Sequence, residues 1–202
     1  MRGRKAYSHL FCAPVVLSAL ILLPARARAQ EMALEIDPAK TQVEFTLDAV
    51  LHTVHGTFKM KQGKIEVDPA TGQCSGRVVA DALSANTGND GRDNKMHKDV
   101  LESQKYPEIT FVPSQALGQI ASQGTSRVQL RGTMTLHGRD QEITAPLDVK
   151  ITGNEWTADT AFPVPYVKWG LKNPSTLFLR VKDPVNVTVH AAGTLTVAAH
   201  QP

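Results

Sequence analysis

The sequence predicts an all-β protein: an antiparallel barrel of about eight strands, with a short helix in the long connection over residues 84–105. Three observations carry this reading. Apolar and polar residues alternate with a period of two along most of the chain, as half-buried strands require. Turn signals separate those runs at hairpin distances. One connection, between the run ending near Leu83 and the run starting at Ile109, is far longer than a hairpin loop and has the length of a functional segment.

Residues 1–29 are set apart from the fold. Arg2, Arg4 and Lys5 form a positive start, Phe11 to Leu23 an apolar stretch, and Ala27-Arg28-Ala29 a small-x-small cleavage site before Gln30. This is the pattern of a secretory signal peptide, and the apolar stretch is shorter than the roughly 20 residues of a membrane span. The expectation is an exported, periplasmic domain over residues 30–202, with no stable membrane insertion. At 173 residues it suits one domain. The whole chain has 22 basic and 19 acidic residues, but Arg2, Arg4, Lys5, Arg26 and Arg28 leave with the signal, so the remainder holds 17 against 19. A balance of −2 removes the basic surface that nucleic-acid binding requires. Cys12 also leaves, so Cys74 has no disulfide partner and is expected to be inert.

Strands are expected near residues 33 to 37, 42 to 51, 55 to 67, 74 to 83, 108 to 114, 126 to 136, 141 to 151 and 155 to 163, with a final pair near 176 to 182 and 185 to 197. The alternation is plain in Val43, Phe45 and Leu47 against Glu44, Thr46 and Asp48, and in Val185, Val187 and Val189 against Asn186, Thr188 and His190. Turns fall at Asp68 to Gly72, His137-Gly138-Arg139-Asp140, Thr152-Gly153-Asn154 and Lys182-Asp183-Pro184. Gln42 to Val67 has no proline and only two glycines, Gly56 and Gly63, which mark bends or bulges in long curved strands. Such strands favour a closed barrel over a sandwich, and an eight-stranded barrel is just wide enough for side chains or one small ligand. Met96, Val100 and Leu101, with His97 beside them, favour a short helix closing over something apolar, and Asp93 fits its N-cap.

At this point the chain resembles a known family. Val43 to Phe58 (VEFTLDAVLHTVHGTF), Arg92-Asp93 followed by Met96 and Leu101, Tyr106 to Phe111 (YPEITF), Gly132 to Gly138 (GTMTLHG) and Asp183-Pro184-Val185 occur in the order and spacing of YceI-like proteins. The resemblance covers nearly the whole exported domain. It implies a lipocalin-like, extended antiparallel barrel of eight strands that holds a long isoprenoid lipid, a polyprenyl chain or an isoprenoid quinone, in its interior. The bound lipid is then a ligand, with no cofactor expected, and a homodimer stays open.

Physical chemistry makes such a ligand reasonable, since each methylene buried contributes about 0.8 kcal/mol and an apolar tube binds by desolvation. The inward strand residues are candidates for the tube: Phe45, Leu47, Phe58, Ile65, Val79, Phe111, Leu136 and Phe162. Met96, Leu101, Tyr106 and Trp169 are candidates for the opening. Ordinary core packing is the competing reading for each. Arg92 suits a phosphate or quinone oxygen, and His52 or His97 a carbonyl head; the competing reading has Arg92 and Asp93 bonding to backbone and to one another to pin the loop.

Other functions have weaker support. His52 and His55 lie three apart, which places them on opposite faces of a strand, so no metal is expected. Nucleophile elbows, phosphate loops and zinc-protease motifs are missing, and no enzyme is expected. An enzyme acting on a small apolar substrate would need a titrating group in the cavity, such as His52 or Glu44. A third reading is an interaction module that docks on a partner through an exposed loop over 164–171, with Trp169 and flanking prolines.

Overall fold

The computed structural model describes residues 31–49, 53–175 and 182–197. Nine strands form one sheet: β1 (Met32–Ile36), β2 (Gln42–Asp48), β3 (Thr53–Val67), β4 (Cys74–Asn86), β5 (Glu108–Leu117), β6 (Gly124–Leu136), β7 (Arg139–Thr152), β8 (Glu155–Val164) and β9 (Val185–Val197). All pairings are antiparallel, and the β3–β4 pairing closes the order β3-β2-β9-β8-β7-β6-β5-β4 into a barrel. Nine of the strands expected from alternation are present. The tenth, near 176 to 182, lies outside the described residues apart from Lys182, as does the segment read as a signal peptide.

Nine strands fit an eight-position barrel because β1 and β2 share one position. Met32 of β1 pairs with Val67 and Val197, while Val43 of β2 pairs with Phe58 and Val189 further along the same two strands, β3 and β9. Residues 37–41 form a loop within this broken strand, tied by Asp37 N donating to the Ala192 carbonyl at 2.8 Å and by Thr41 Oγ1 donating to the Asp37 carbonyl at 2.9 Å.

The long strand β3 bends where its glycines predict. Its register against β4 slips between Thr57 and Lys59 and again between Met60 and Gln62, and both slips fall between Gly56 and Gly63. A side chain at Gly56 would place Cβ 2.2 Å from Phe45 Cζ, so the absence of one lets that ring lie across the neighbouring strand.

The two ends of the barrel differ. At one end, tight connections join β3 to β4, β5 to β6 and β7 to β8, and a core of Met32, Leu34, Val67, Ile151, Trp156 and Leu195 fills the space between them. At the other end lie the two longest connections, β4 to β5 and β8 to β9. The first carries α1 (Asp90–Lys95), continued by a π-helical turn (Met96–Val100) closed by Leu101 N donating to the Met96 carbonyl at 2.8 Å. The expected helix is therefore present, but its cap is corrected: Asn89 caps it, accepting from Arg92 N at 2.9 Å, and Asp93 lies inside the helix with its carboxylate turned back to Thr87. Asn89 has the extended backbone a cap needs, which Asp93 does not.

Candidate functional site

Inward residues of all eight barrel positions enclose a cavity of about 560 Å³, within the range of about 300–1,000 Å³ usual for ligand sites. Phe45, Leu47, Phe58, Ile65, Phe111, Leu136 and Phe162 line it as the alternation predicts. Phe45 and Phe58 meet across β2 and β3 with ring centroids 5.1 Å apart. Val79 is a correction: it is buried but off the cavity, and its neighbours Val78 and Ala80 line the wall instead. Three apolar residues in a row carry no alternation from which to choose the inward face.

The helical segment closes over this space as expected, with Met96, Val100 and Leu101 on the lining. The connection from β8 to β9 contributes Tyr166, Leu171 and Pro174. This overturns the exposed loop read over 164–171: Tyr166, Trp169 and Leu171 are buried, packed with Ala85, Leu101, Leu136 and Val164 into a cluster at the mouth. Trp169 supports that cluster from behind without reaching the cavity, because the turn folds back on itself through Trp169 N donating to the Pro165 carbonyl at 3.0 Å and Leu171 N to the Tyr166 carbonyl at 3.0 Å. Burial, with a smaller contribution from Asp183, pushes the Tyr166 phenol up to about 12.

Two further opening candidates are also placed elsewhere. His97 spends both ring nitrogens on the protein, Nε2 donating to the Ala85 carbonyl and Nδ1 facing Ser103 Oγ, each at 2.9 Å, and it does not line the cavity. Tyr106 lies outside the cavity, its ring 4.4 Å from that of His137, whose Nε2 in turn meets Glu102 Oε2 at 3.2 Å. Together they clasp the end of the helical connection to the β6–β7 turn. His52 lies outside the described residues. Glu44 is exposed and off the cavity, and no group of metal-ligating side chains occurs among the described residues.

Arg92 lines the mouth, held there by a relay. Its Nε donates to Thr87 Oγ1 at 2.7 Å and its Nη2 to the Thr87 carbonyl at 2.9 Å. The Thr87 hydroxyl donates in turn to Asp93, whose two carboxylate oxygens also accept from Thr87 N at 3.0 and 3.2 Å. The loop-pinning reading thus holds, though through Thr87 rather than directly between the two side chains. Lys95, unforeseen from the sequence, joins Arg92 on the lining, and its Nζ donates to the Pro174 carbonyl at 3.2 Å, strapping the helix to the β8–β9 connection. Its position three residues after Arg92, on the same helical face, was the available signal. At the opposite end, Cys74 lines the wall as a free thiol, pushed up by burial and so kept unreactive. Among the described residues, Arg92 and Lys95 are the only charged ones on a lining that is otherwise almost wholly apolar.

A closed antiparallel barrel around an apolar cavity, with both long connections folded over one end, defines a class of single-domain binding scaffolds. The chain belongs to the YceI-like domain family, which matches it over residues 34–192. Among curated proteins it is 24% identical to a UPF0312 protein of Vibrio parahaemolyticus over 149 residues, 72% of this chain and 77% of that one. Among solved structures it is similar to BcnA of Burkholderia cenocepacia (TM-score 0.67, 22% identity, covering 79% of this chain and 99% of that one). It is also similar to a polyisoprenoid binding domain from Saccharophagus degradans implicated in plant cell wall breakdown (TM-score 0.59, 16% identity, covering 80% and 98%). A third likeness is to a Campylobacter jejuni YCEI protein (TM-score 0.57, 20% identity, covering 70% and 84%).

Proposed function

We propose that this protein is an exported, periplasmic carrier that sequesters or ferries an isoprenoid-type lipid, a polyprenyl chain or an isoprenoid quinone, inside its barrel without changing it chemically. The observation that carries this reading is the lining itself: a long apolar wall whose only charges among the described residues sit together at the end where the two long connections lie. Such a wall gains free energy from every methylene it removes from water, at about 0.8 kcal/mol each, and asks for a ligand with one polar end. The polyisoprenoid binding domain of similar fold supports the choice of lipid.

The test is native mass spectrometry of the protein purified from its exporting host, followed by organic extraction. The expected result is an apolar species of defined mass, released on denaturation. Empty preparations that gain no mass from added quinones or polyprenyl phosphates would sink the carrier reading.

A further inference from the structure

We propose that the mouth of the cavity selects an isoprenoid with a phosphate head over one with a neutral head, with Lys95 and Arg92 as the two contacts. This rests on the carrier reading above and specifies its ligand. Both cations line the cavity, yet neither forms an ion pair with a carboxylate among the described residues. Asp93, the acidic residue beside Arg92, is committed to Thr87 and does not line the cavity. Among the described residues the two cations on the lining therefore have no directly paired carboxylate, Arg92 reaching Asp93 only through Thr87.

The donors are also prepared. The Thr87 relay fixes the plane of the Arg92 guanidinium and leaves Nη1, with the second N–H of Nη2 beside it, without a partner among the described residues, an edge that matches an oxygen pair bidentately. The Pro174 carbonyl holds the Lys95 ammonium on the same face of the helix, where it keeps donors to spare. A neutral head seated here would strip water from two cations with little return, whereas a phosphate replaces the lost hydration with charge-assisted hydrogen bonds.

Farnesol and farnesyl monophosphate share one chain and differ only in the head, so delipidated protein titrated with each isolates the mouth. Trp156 lines the cavity and supplies a fluorescence readout. The monophosphate should bind at least about tenfold more tightly, a margin that shrinks as salt is raised because partly exposed charges are screened. Lys95→Met, which keeps the apolar stem, should cut that margin several-fold, and Lys95→Arg should restore it. Equal affinities for the two probes, or a margin untouched by Lys95→Met, would overturn head-group selection while leaving the carrier reading intact. Binding of neither probe would overturn both.

Discussion

Thr87 stands between a cation and a carboxylate, and the mouth depends on it. Through one hydroxyl and its backbone it accepts from Arg92 and donates to Asp93, so neither charge has to leave the helix to be satisfied. Removing the acceptor should leave the Thr87 N–H and O–H unpaired at a part-buried site, which costs about 1–3 kcal/mol. Asp93→Ala is therefore expected to lower the melting temperature by roughly 3–10 °C; an unchanged melting temperature would mean the relay holds nothing together. Tyr166 gives a second residue-scale prediction. Its phenol ionises near 10.0 in an unfolded chain and is held up to about 12 in the fold, so the folded state keeps the proton longer. Its contribution is whole below pH 10.0 and is lost as pH rises toward about 12. Thermal melts across that window should show a steeper alkaline loss in the native protein than in Tyr166→Phe, and parallel curves would remove burial as the cause. At this scale the sequence was partly legible. Arg92 announced itself by its charge in a strand-rich chain, but its partner Thr87 looks like any loop threonine, and the fate of His97 depended on the Ala85 carbonyl, which no side-chain pattern encodes.

At the scale of elements, strands were legible because one face of each is buried, and burial of one face writes a period of two. Where the rule lapsed, so did the reading: Val78, Val79 and Ala80 form a continuous apolar run, and only the pairing of Val78 with Phe111 and Ala80 with Ile109 shows which face looks inward. The turn over 165–171 was misread for a related reason. Its proline, lysine and glycine suggest surface, and its three large apolar residues become core only because the helical connection lies beside it. The glycines of β3 were read correctly as bends, and Gly56 shows why such positions do not tolerate a side chain. Gly56→Ala would put Cβ within 2.2 Å of the Phe45 ring and 2.9 Å of the Asn86 carbonyl. Overpacking of this kind costs about 1–3 kcal/mol, so the unfolding free energy from denaturant titration should fall by that amount, and pairing it with Phe45→Leu should recover part of the loss. Full additivity of the two changes would show that the ring is not what occupies the space.

For the molecule as a whole, alternation cannot distinguish a filled barrel from a hollow one, since inward residues are apolar in both. The cavity had to be seen. A bulky side chain in its wall tests whether it is the working part: Ile109 lines it opposite Ala80, and Ile109→Trp should abolish co-purifying lipid while the circular dichroism of the sheet is retained. Unchanged lipid content would move the ligand elsewhere. The shared barrel position was equally hidden, because it depends on partners at opposite ends of the chain. Met32 lies beside Val197, and β2 beside the first half of β9, so the ring is sealed by its earliest and latest strands. Contacts of such sequence separation form late and slowly. During synthesis the chain is thus an open ribbon with two unpaired edges until β9 arrives, and before that moment there is no inside for a ligand to occupy. Adding β9 and creating the compartment are one event, so any product cut short before β9 is left with bare edges prone to aggregation and no enclosed cavity.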